Sequence, residues 1–414
     1  MQRTLLAVVV GAIVSCAPTP VGSVGSETPA PSASPTTRAE STPTVTPAFS
    51  VSPLPSPSAI AQATGVRTNA LGRLTGNWLF VGKQVPDAHN IRAEVQVWAI
   101  PLDGGLARFA FGYDVPLGGV PEAIFDDTAY LRRQFSPDGT RVVVSVHGQL
   151  VVVDLVSGRT NALGVSGYFP SWSKDGSRIA FLFETSIGNV VPPEDAIATI
   201  PAGGGPRQTD RRGRLRAALS RMVARRSMFV IAQPNGIAIV EAATGQVIRR
   251  IAEISEAGSS FAHWRTKTPQ VAITVTGCEQ ATTRVIALDN SMSAPRKLLD
   301  TGERCAALNL RDPRWNPVGD ELLYVSARAT PGVQLSEYRT HVIDVASGRD
   351  TVLPLLAWEA TWTWDGTQIA YIARGLESSY GNAVSLWRRD GSGGQELLRA
   401  SGSDLFFSLA SLSY

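Results

Sequence analysis

Charge is scarce in this chain, and so are cysteine, histidine and methionine. Charged residues make up 18% of the 414, with 38 basic against 35 acidic side chains and a formal net charge of +3. A balance this close to neutral provides no broad positive field, which excludes a nucleic-acid partner held through its phosphates. The four histidines, His89, His147, His263 and His341, lie far apart without ligand-like spacing, so no metal and no cofactor is expected. There is no Gly-x-Ser-x-Gly elbow, no Walker loop, no His-Glu-x-x-His and no Cys-x-x-Cys. No catalytic residue is therefore assigned, and the chain reads as non-enzymatic. The N-terminal apolar run, Leu5 to Val14, is about ten residues long, well short of the roughly 20 needed to cross a bilayer.

What is present begins with that run. With Arg3 before it, it reads as a secretion signal over residues 1–15. Ile13-Val14-Ser15-Cys16 resembles the lipobox of bacterial prolipoproteins, in which the cysteine is lipidated and becomes the mature N-terminus; the plain alternative is an ordinary signal peptide. The resemblance implies an extracytoplasmic protein, lipid-anchored through Cys16 to the cell membrane or envelope, with no other membrane contact. Two or three acyl chains hold such an anchor stably, where one holds it marginally. Residues 16–65 are mostly Pro, Ser, Thr, Ala, Val and Gly, with Phe49 the only aromatic. Such a segment buries too little apolar area to offset the entropy of ordering, so it reads as a disordered linker before a folded region at 66–414.

The chain has three cysteines, and lipidation of Cys16 leaves Cys278 and Cys305 as an even pair in an oxidising compartment. A disulfide is the expectation, two free buried thiols the alternative.

A short turn recurs: Phe135-Ser-Pro-Asp-Gly139, Trp172-Ser-Lys-Asp-Gly176, Trp315-Asn-Pro-Val-Gly319 and Trp362-Thr-Trp-Asp-Gly366, each followed by an apolar strand-like run. A second turn recurs as Asp154-Leu-Val-Ser-Gly158, Glu241-Ala-Ala-Thr-Gly245 and Asp344-Val-Ala-Ser-Gly348. Between Leu131 and Leu163 these turns divide the chain into what reads as four strands, the content of one propeller blade. First-strand markers fall at Phe135, Trp172, Leu219, Trp264, Trp315, Trp362 and about Leu409. Leu405 to Tyr414 reads as a first strand with no blade after it, and Asn77 to Val81 as a second strand with none before it. Pairing the two closes a ring and leaves no exposed edge. The expectation is all-β: a β-propeller of seven four-stranded blades, favoured over six or eight, closed by the C-terminal strand.

These turns resemble those of the bacterial WD-repeat-like propellers typified by TolB, over about Leu131 to Arg399. The resemblance is strongest at Phe135 to Gly139 and Trp172 to Gly176 and weakest near Leu219 and Trp264. In that family the motif is a turn and a core aromatic, so it implies an architecture and no active site; family members are mostly binding scaffolds. Where the fourth blade should carry its turn the chain reads Ser220-Arg-Met-Val-Ala-Arg-Arg-Ser227, within an Arg-rich stretch over 207–227. Two readings stay open, a solvated basic loop and a local slip of reading frame.

Four antiparallel strands per blade put the tight turns on one face and the long connections on the other, among them 82–93, 111–130, 185–193 and 327–337. Cys278 and Cys305 fall on the long-loop face. His89, Tyr113, Asp126, Asp127, Tyr130, Glu184, Arg304, Tyr338 and Tyr380 are its candidate contacts. The functional expectation is a monomeric head that binds a protein or a cell-envelope polymer through this face. The alternative is a propeller enzyme, a polysaccharide lyase or hydrolase with its site over the central channel.

Overall fold

The computed structural model describes residues 60–61, 64–87, 89, 91–116, 131–173, 176–185, 194–206, 308–328, 336–374, 381–401 and 404–414. Between 208 and 300 it describes strand segments by their backbone, together with the side chains of Arg265, Ala272 and Leu298. The chain divides into units Met1–Phe49 and Ser50–Tyr414, and every described residue lies in the second.

The fold is a serial array of antiparallel strands. It opens with β1 (Ile60–Ala61), β2 (Val66–Thr68), β3 (Asn77–Pro86), β4 (Arg92–Pro101) and β5 (Arg108–Pro116). A helical turn, α1 (Leu131–Gln134), leads into β6 (Arg141–Val146), β7 (Gln149–Asp154) and β8 (Thr160–Ser166). The third sheet holds β9 (Tyr168–Trp172), β10 (Arg178–Thr185), β11 (Glu194–Pro201) and β12 (Gln208–Thr209). The fourth holds β13 (Ala224–Arg225), β14 (Met228–Gln233), β15 (Gly236–Glu241) and β16 (Val247–Ile251). The fifth holds β17 (Ala257–Trp264), β18 (Val271–Gly277), β19 (Thr283–Leu288) and β20 (Arg296–Asp300). The sixth holds β21 (Leu308–Trp315), β22 (Glu321–Arg328), β23 (Ser336–Asp344) and β24 (Asp350–Leu353). Last come β25 (Ala357–Trp362), β26 (Gln368–Arg374), β27 (Gly381–Arg388), β28 (Gly394–Arg399) and the terminal β29 (Leu405–Ser413).

In the second to sixth groups the strands hydrogen-bond in chain order, the pattern of a propeller blade, whereas in the first β2 pairs with β5, and β29 pairs with both β3 and β27, so that the first and last groups share one ten-stranded sheet. Continuous apolar runs make this possible, because a strand sandwiched between sheets needs apolar side chains on both faces. On β6 and β7, Val142, Val144, Val151 and Val153 pack toward the first sheet, while Val143, Leu150 and Val152 pack toward Trp172, Ile179 and Phe181 of the third.

The expected pairing of the chain's final strand is present. β29 runs antiparallel to β3 from Leu405↔Gln84 to Ser413↔Asn77, with a register shift between Phe406 and Ser408. First strands lie beside one another: α1 against β29 and β9, β17 against β21, β21 against β25, and β25 against β29.

The marker aromatics act between sheets. The Trp172 indole N–H donates to the Gln134 carbonyl at 2.7 Å, and that of Trp362 to the Arg314 carbonyl at 3.2 Å. Arg141 lies over the Trp172 ring at 4.8 Å and Arg265 over Trp315 at 5.2 Å, each a cation against an aromatic face of the next sheet.

Three expectations are corrected. Leu131 to Phe135 is a helical turn ending in an isolated Phe135↔Val142 bridge, not a strand. Its N–H groups are met without a ladder, that of Leu131 by the Ser408 hydroxyl at 3.4 Å and that of Phe135 by the Arg132 carbonyl at 3.4 Å. Order also begins inside the stretch read as linker: β1 (Ile60–Ala61) pairs with β2 at Ile60↔Thr68 and Ala61↔Arg67. Finally, the connections read as 82–93 and 111–130 are shorter, since β3 extends to Pro86 and β5 to Pro116.

Candidate functional site

Up-and-down order brings the β3–β4, β22–β23 and β26–β27 connections to the same end of the array, opposite the tight turns. Of the candidate contacts on that end, His89 is exposed, and its backbone N–H donates to Asp87 Oδ1 at 3.2 Å. Burial opposes ionisation of the Asp87 carboxyl, but hydrogen bonds from the N–H groups of Ile91, Arg92 and His89 outweigh it and hold the group below the usual carboxylate range.

Tyr113 and Tyr338 are corrected. They are 2% and 3% exposed, one packed in the core between the first and second sheets and the other beside Trp358 and Val342. Strand alternation explains both: each sits on a strand position whose side chain points into the packed face rather than toward solvent. The backbone of Glu184 pairs with Asp195 in β10. Asp126, Asp127, Tyr130, Arg304 and Tyr380 lie outside the described residues, as do Cys16, Cys278, Cys305 and the 210–223 part of the Arg-rich stretch. Among the described residues no group of three or more His, Cys, Asp or Glu is placed to hold a metal ion. None of their helices is long and apolar enough to cross a membrane.

Four polar arrangements that the sequence did not single out emerge. At the long-loop end of the first sheet, Lys83 Nζ lies 2.7 Å from Asp404 Oδ2, both largely buried, so β3 and the approach to β29 share an ion pair. Across the same sheet the Trp98 indole donates to Gln96 Oε1 at 3.0 Å, and Gln96 Nε2 donates to Glu94 Oε2 at 3.0 Å. Glu94 in turn pairs with Arg67 of β2.

Among the first strands, Arg314 of β21 lies 3.5 Å from Glu359 Oε1 of β25, with side chains only 2% and 8% exposed. The same oxygen accepts the Leu409 N–H at 3.0 Å and the Ser408 hydroxyl at 3.4 Å. This pair joins β21 of the sixth sheet to β25 and β29. A guanidinium does not release its proton in a protein, so the pair cannot divide general-acid and general-base roles.

The sixth sheet holds a chain in the order serine, histidine, aspartate. Ser326 Oγ is 2.9 Å from His341 Nε2, and His341 Nδ1 is 2.9 Å from Asp350 Oδ2. Tyr324 donates to the same Asp350 oxygen at 2.9 Å and stacks on the imidazole at 4.5 Å. Burial, then the Asp350 charge and hydrogen bond, push the Tyr324 phenol far above its ordinary pKa, so it stays a donor. The connectivity is that of a nucleophile–base–acid triad. Its placement is different: Ser326 is 4% exposed, on the same face of β22 as Leu322 and Tyr324, which pack with Trp315, Ile343 and Ala272. Residues of β22, β23 and β24 supply the members, so the chain ties three neighbouring strands crosswise.

No protein-family model and no curated protein matches the chain. Similar solved structures include TolB from Acinetobacter baumannii, at 14% identity over 80% of this chain and 83% of that one, with a TM-score of 0.39. Oligogalacturonate lyase from Vibrio parahaemolyticus is 13% identical over 80% of this chain and 88% of its own, with a TM-score of 0.47. The β-propeller domain of the Trilobed protease from Pyrococcus furiosus is 10% identical over 78% and 86%, with a TM-score of 0.41. At likenesses of this size the fold is argued from the strand pairing above, and function from this chain's own residues.

Proposed function

We propose that the protein is a non-enzymatic, lipid-anchored recognition propeller outside the cytoplasmic membrane, binding a protein or a cell-envelope polymer through its long-loop end. In this reading the seven groups of strands form one ring, β29 completes the first blade, and Cys278 and Cys305 form a disulfide that pins two loops of the binding end. The observation that carries it is the β29–β3 ladder. With both ends of the array held in one sheet, alternate connections emerge at one end of a rigid support, where recognition loops ordinarily sit. The polar arrangements described above are engaged in holding strands together, which favours binding over chemistry.

Two experiments test the reading. Cys16→Ala should move the full-length protein from the detergent phase to the aqueous phase on partitioning; unchanged partitioning sinks the anchor. An immobilised head beginning at Ile60 should retain a component of envelope extracts, and lose it when residues 117–130 are replaced by a short Gly-Ser linker. Release of sugar fragments from envelope polysaccharide by the purified head would instead establish the enzyme reading.

A further inference from the structure

The seam between β25 and the chain's final strand is tied differently from those that β9 and β25 make with the sheets before them. At β9 and at β25 the marker indole donates across the seam to a carbonyl of the preceding sheet. β29 has Leu409 as its marker, and a leucine side chain has nothing to donate. Here the preceding strand reaches forward instead: the Glu359 carboxylate of β25 accepts the Leu409 N–H at 3.0 Å.

That bond sets the relative height of the two strands. β25 and β29 lie side by side and run the same way, each ending at the tight turns, so one step of alternation beyond Glu359 and Leu409 brings Thr361 and Ser411 to one level. Register gives their direction. Thr361 is paired with Ala370 and Ser411 with Leu79, and paired residues share a face. Ala370 and Leu79 both belong to the apolar cluster that fills this seam, together with Val81, Ile372 and Leu409. The two hydroxyls therefore enter one seam from opposite sides. Thr361 is 0% and Ser411 1% exposed, and among the described residues neither Thr361 Oγ1 nor Ser411 Oγ meets a hydrogen-bond partner.

We propose that Thr361 and Ser411 form a binding site for an internal water that bridges β25 to β29. The site stands whatever the long-loop end binds. A hydroxyl left unmet in an apolar seam costs its full desolvation, and here two would be left at one level. A water answers both, because it donates two protons and accepts two. A further partner is in reach: alternation from Tyr414, which bonds Gly76, turns the Ser411 N–H and carbonyl away from β3, along the same edge as the Leu409 N–H. Leu79, Ala370 and Leu409, all 0% exposed, close the seam to anything larger. A cation is disfavoured, since Glu359, the carboxylate on the same face of β25, is already paired with Arg314. The water thus does for the final strand what the indole does for β9 and β25. It also selects the height of that strand, because a slide of β29 by two residues toward the tight turns would set Leu409 opposite Thr361 and lose the bridge.

Magnetic relaxation dispersion of the water oxygen counts internal waters of long residence in the full-length protein. Thr361→Val keeps the shape of the side chain without its hydroxyl, Ser411→Ala is the smaller change, and each should lower that count by one. An unchanged count in both variants overturns the proposal. Urea unfolding gives a second readout whose sign separates the two cases. With a water held between the hydroxyls, each variant raises the unfolding constant about tenfold, and the double variant raises it by clearly less than the product of the two. With hydroxyls that are simply unmet, Thr361→Val lowers the unfolding constant, and that result also overturns the site. If Thr361→Val does not fold, Ser411→Ala carries both measurements under the same criteria.

Discussion

Two turns at equivalent places in the second and sixth sheets satisfy their donors with different chemistry and a different backbone, Gly139 sitting at φ +71° and Gly319 outside the left-handed region. In Ser136-Pro137-Asp138-Gly139 the Gly139 N–H donates to the Ser136 carbonyl at 2.8 Å, and the Ser136 hydroxyl accepts the Arg141 N–H at 2.9 Å and donates to Asp138 at 2.5 Å. In Asn316-Pro317-Val318-Gly319 there is no aspartate. There the Asn316 side-chain oxygen accepts the N–H groups of both Val318 and Gly319, at 3.0 and 3.1 Å. Its amide nitrogen donates to Glu321 at 3.2 Å and reaches the Gly366 carbonyl of the next sheet at 3.4 Å. One side chain replaces a serine and an aspartate together, so the motif persists as a set of satisfied donors after its letters have changed.

The largest effect expected from breaking this comparison is at Asn316. Asn316→Ala strips acceptors from two N–H groups and a donor from two others at a buried position, and should cost about 2 to 3 kcal/mol in urea unfolding. Asp138→Ala leaves the Ser136 hydroxyl and its backbone bonds in place at a more exposed site, and should cost about 1 kcal/mol in the same measurement. Equal losses would show that the two turns are not chemically distinct.

Acid separates them further. Burial opposes ionisation of Asp138 and Asp365, yet hydrogen bonds from Ser136 and Thr140, and from Thr363 and Thr367, outweigh it and lower both carboxyls below 3.8. A carboxyl lowered on folding adds stability that is complete above its unfolded value and lost as pH falls through its folded one. Amides of the second- and seventh-sheet turns should therefore lose exchange protection on acidification below about pH 4, while those of the Asn316 turn, whose N–H groups are accepted by an amide oxygen and not by a carboxylate, should lose less. The smallest effect is expected at Ser326. Because its hydroxyl is buried, a fluorophosphonate probe should leave it unlabelled, and labelling abolished by His341→Ala would turn that strand tie into a catalytic site.

The turns and their aromatics were legible in the sequence because local chemistry specifies them: Trp172, Trp315 and Trp362 are buried at the ends of first strands. The pairing of β29 with β3 was legible too, since each reads as a strand lacking its neighbour. Two kinds of feature were not. Val66, Leu71 and Leu74 fall in the region read as folded, but their spacing has no strand period that would give the pairing of β2 with β5 or the seam they fill. Ser326, His341 and Asp350 stand on separate strands, and only register brings them together. Tyr113 and Tyr338 failed as surface contacts for the related reason that an aromatic near a strand end can point to either face.

Gly76 and Tyr414 exchange backbone hydrogen bonds at 3.1 and 3.3 Å, and the Tyr414 hydroxyl reaches the Gly139 carbonyl at 2.7 Å. The beginning of β3 and the end of β29 are thus neighbours in space, so a circular permutant fusing Tyr414 to Gly76 through a few glycines is geometrically open. New termini cut at an exposed tight turn such as Asp390–Gly391 would then make the present β29–β3 ladder an ordinary internal hairpin.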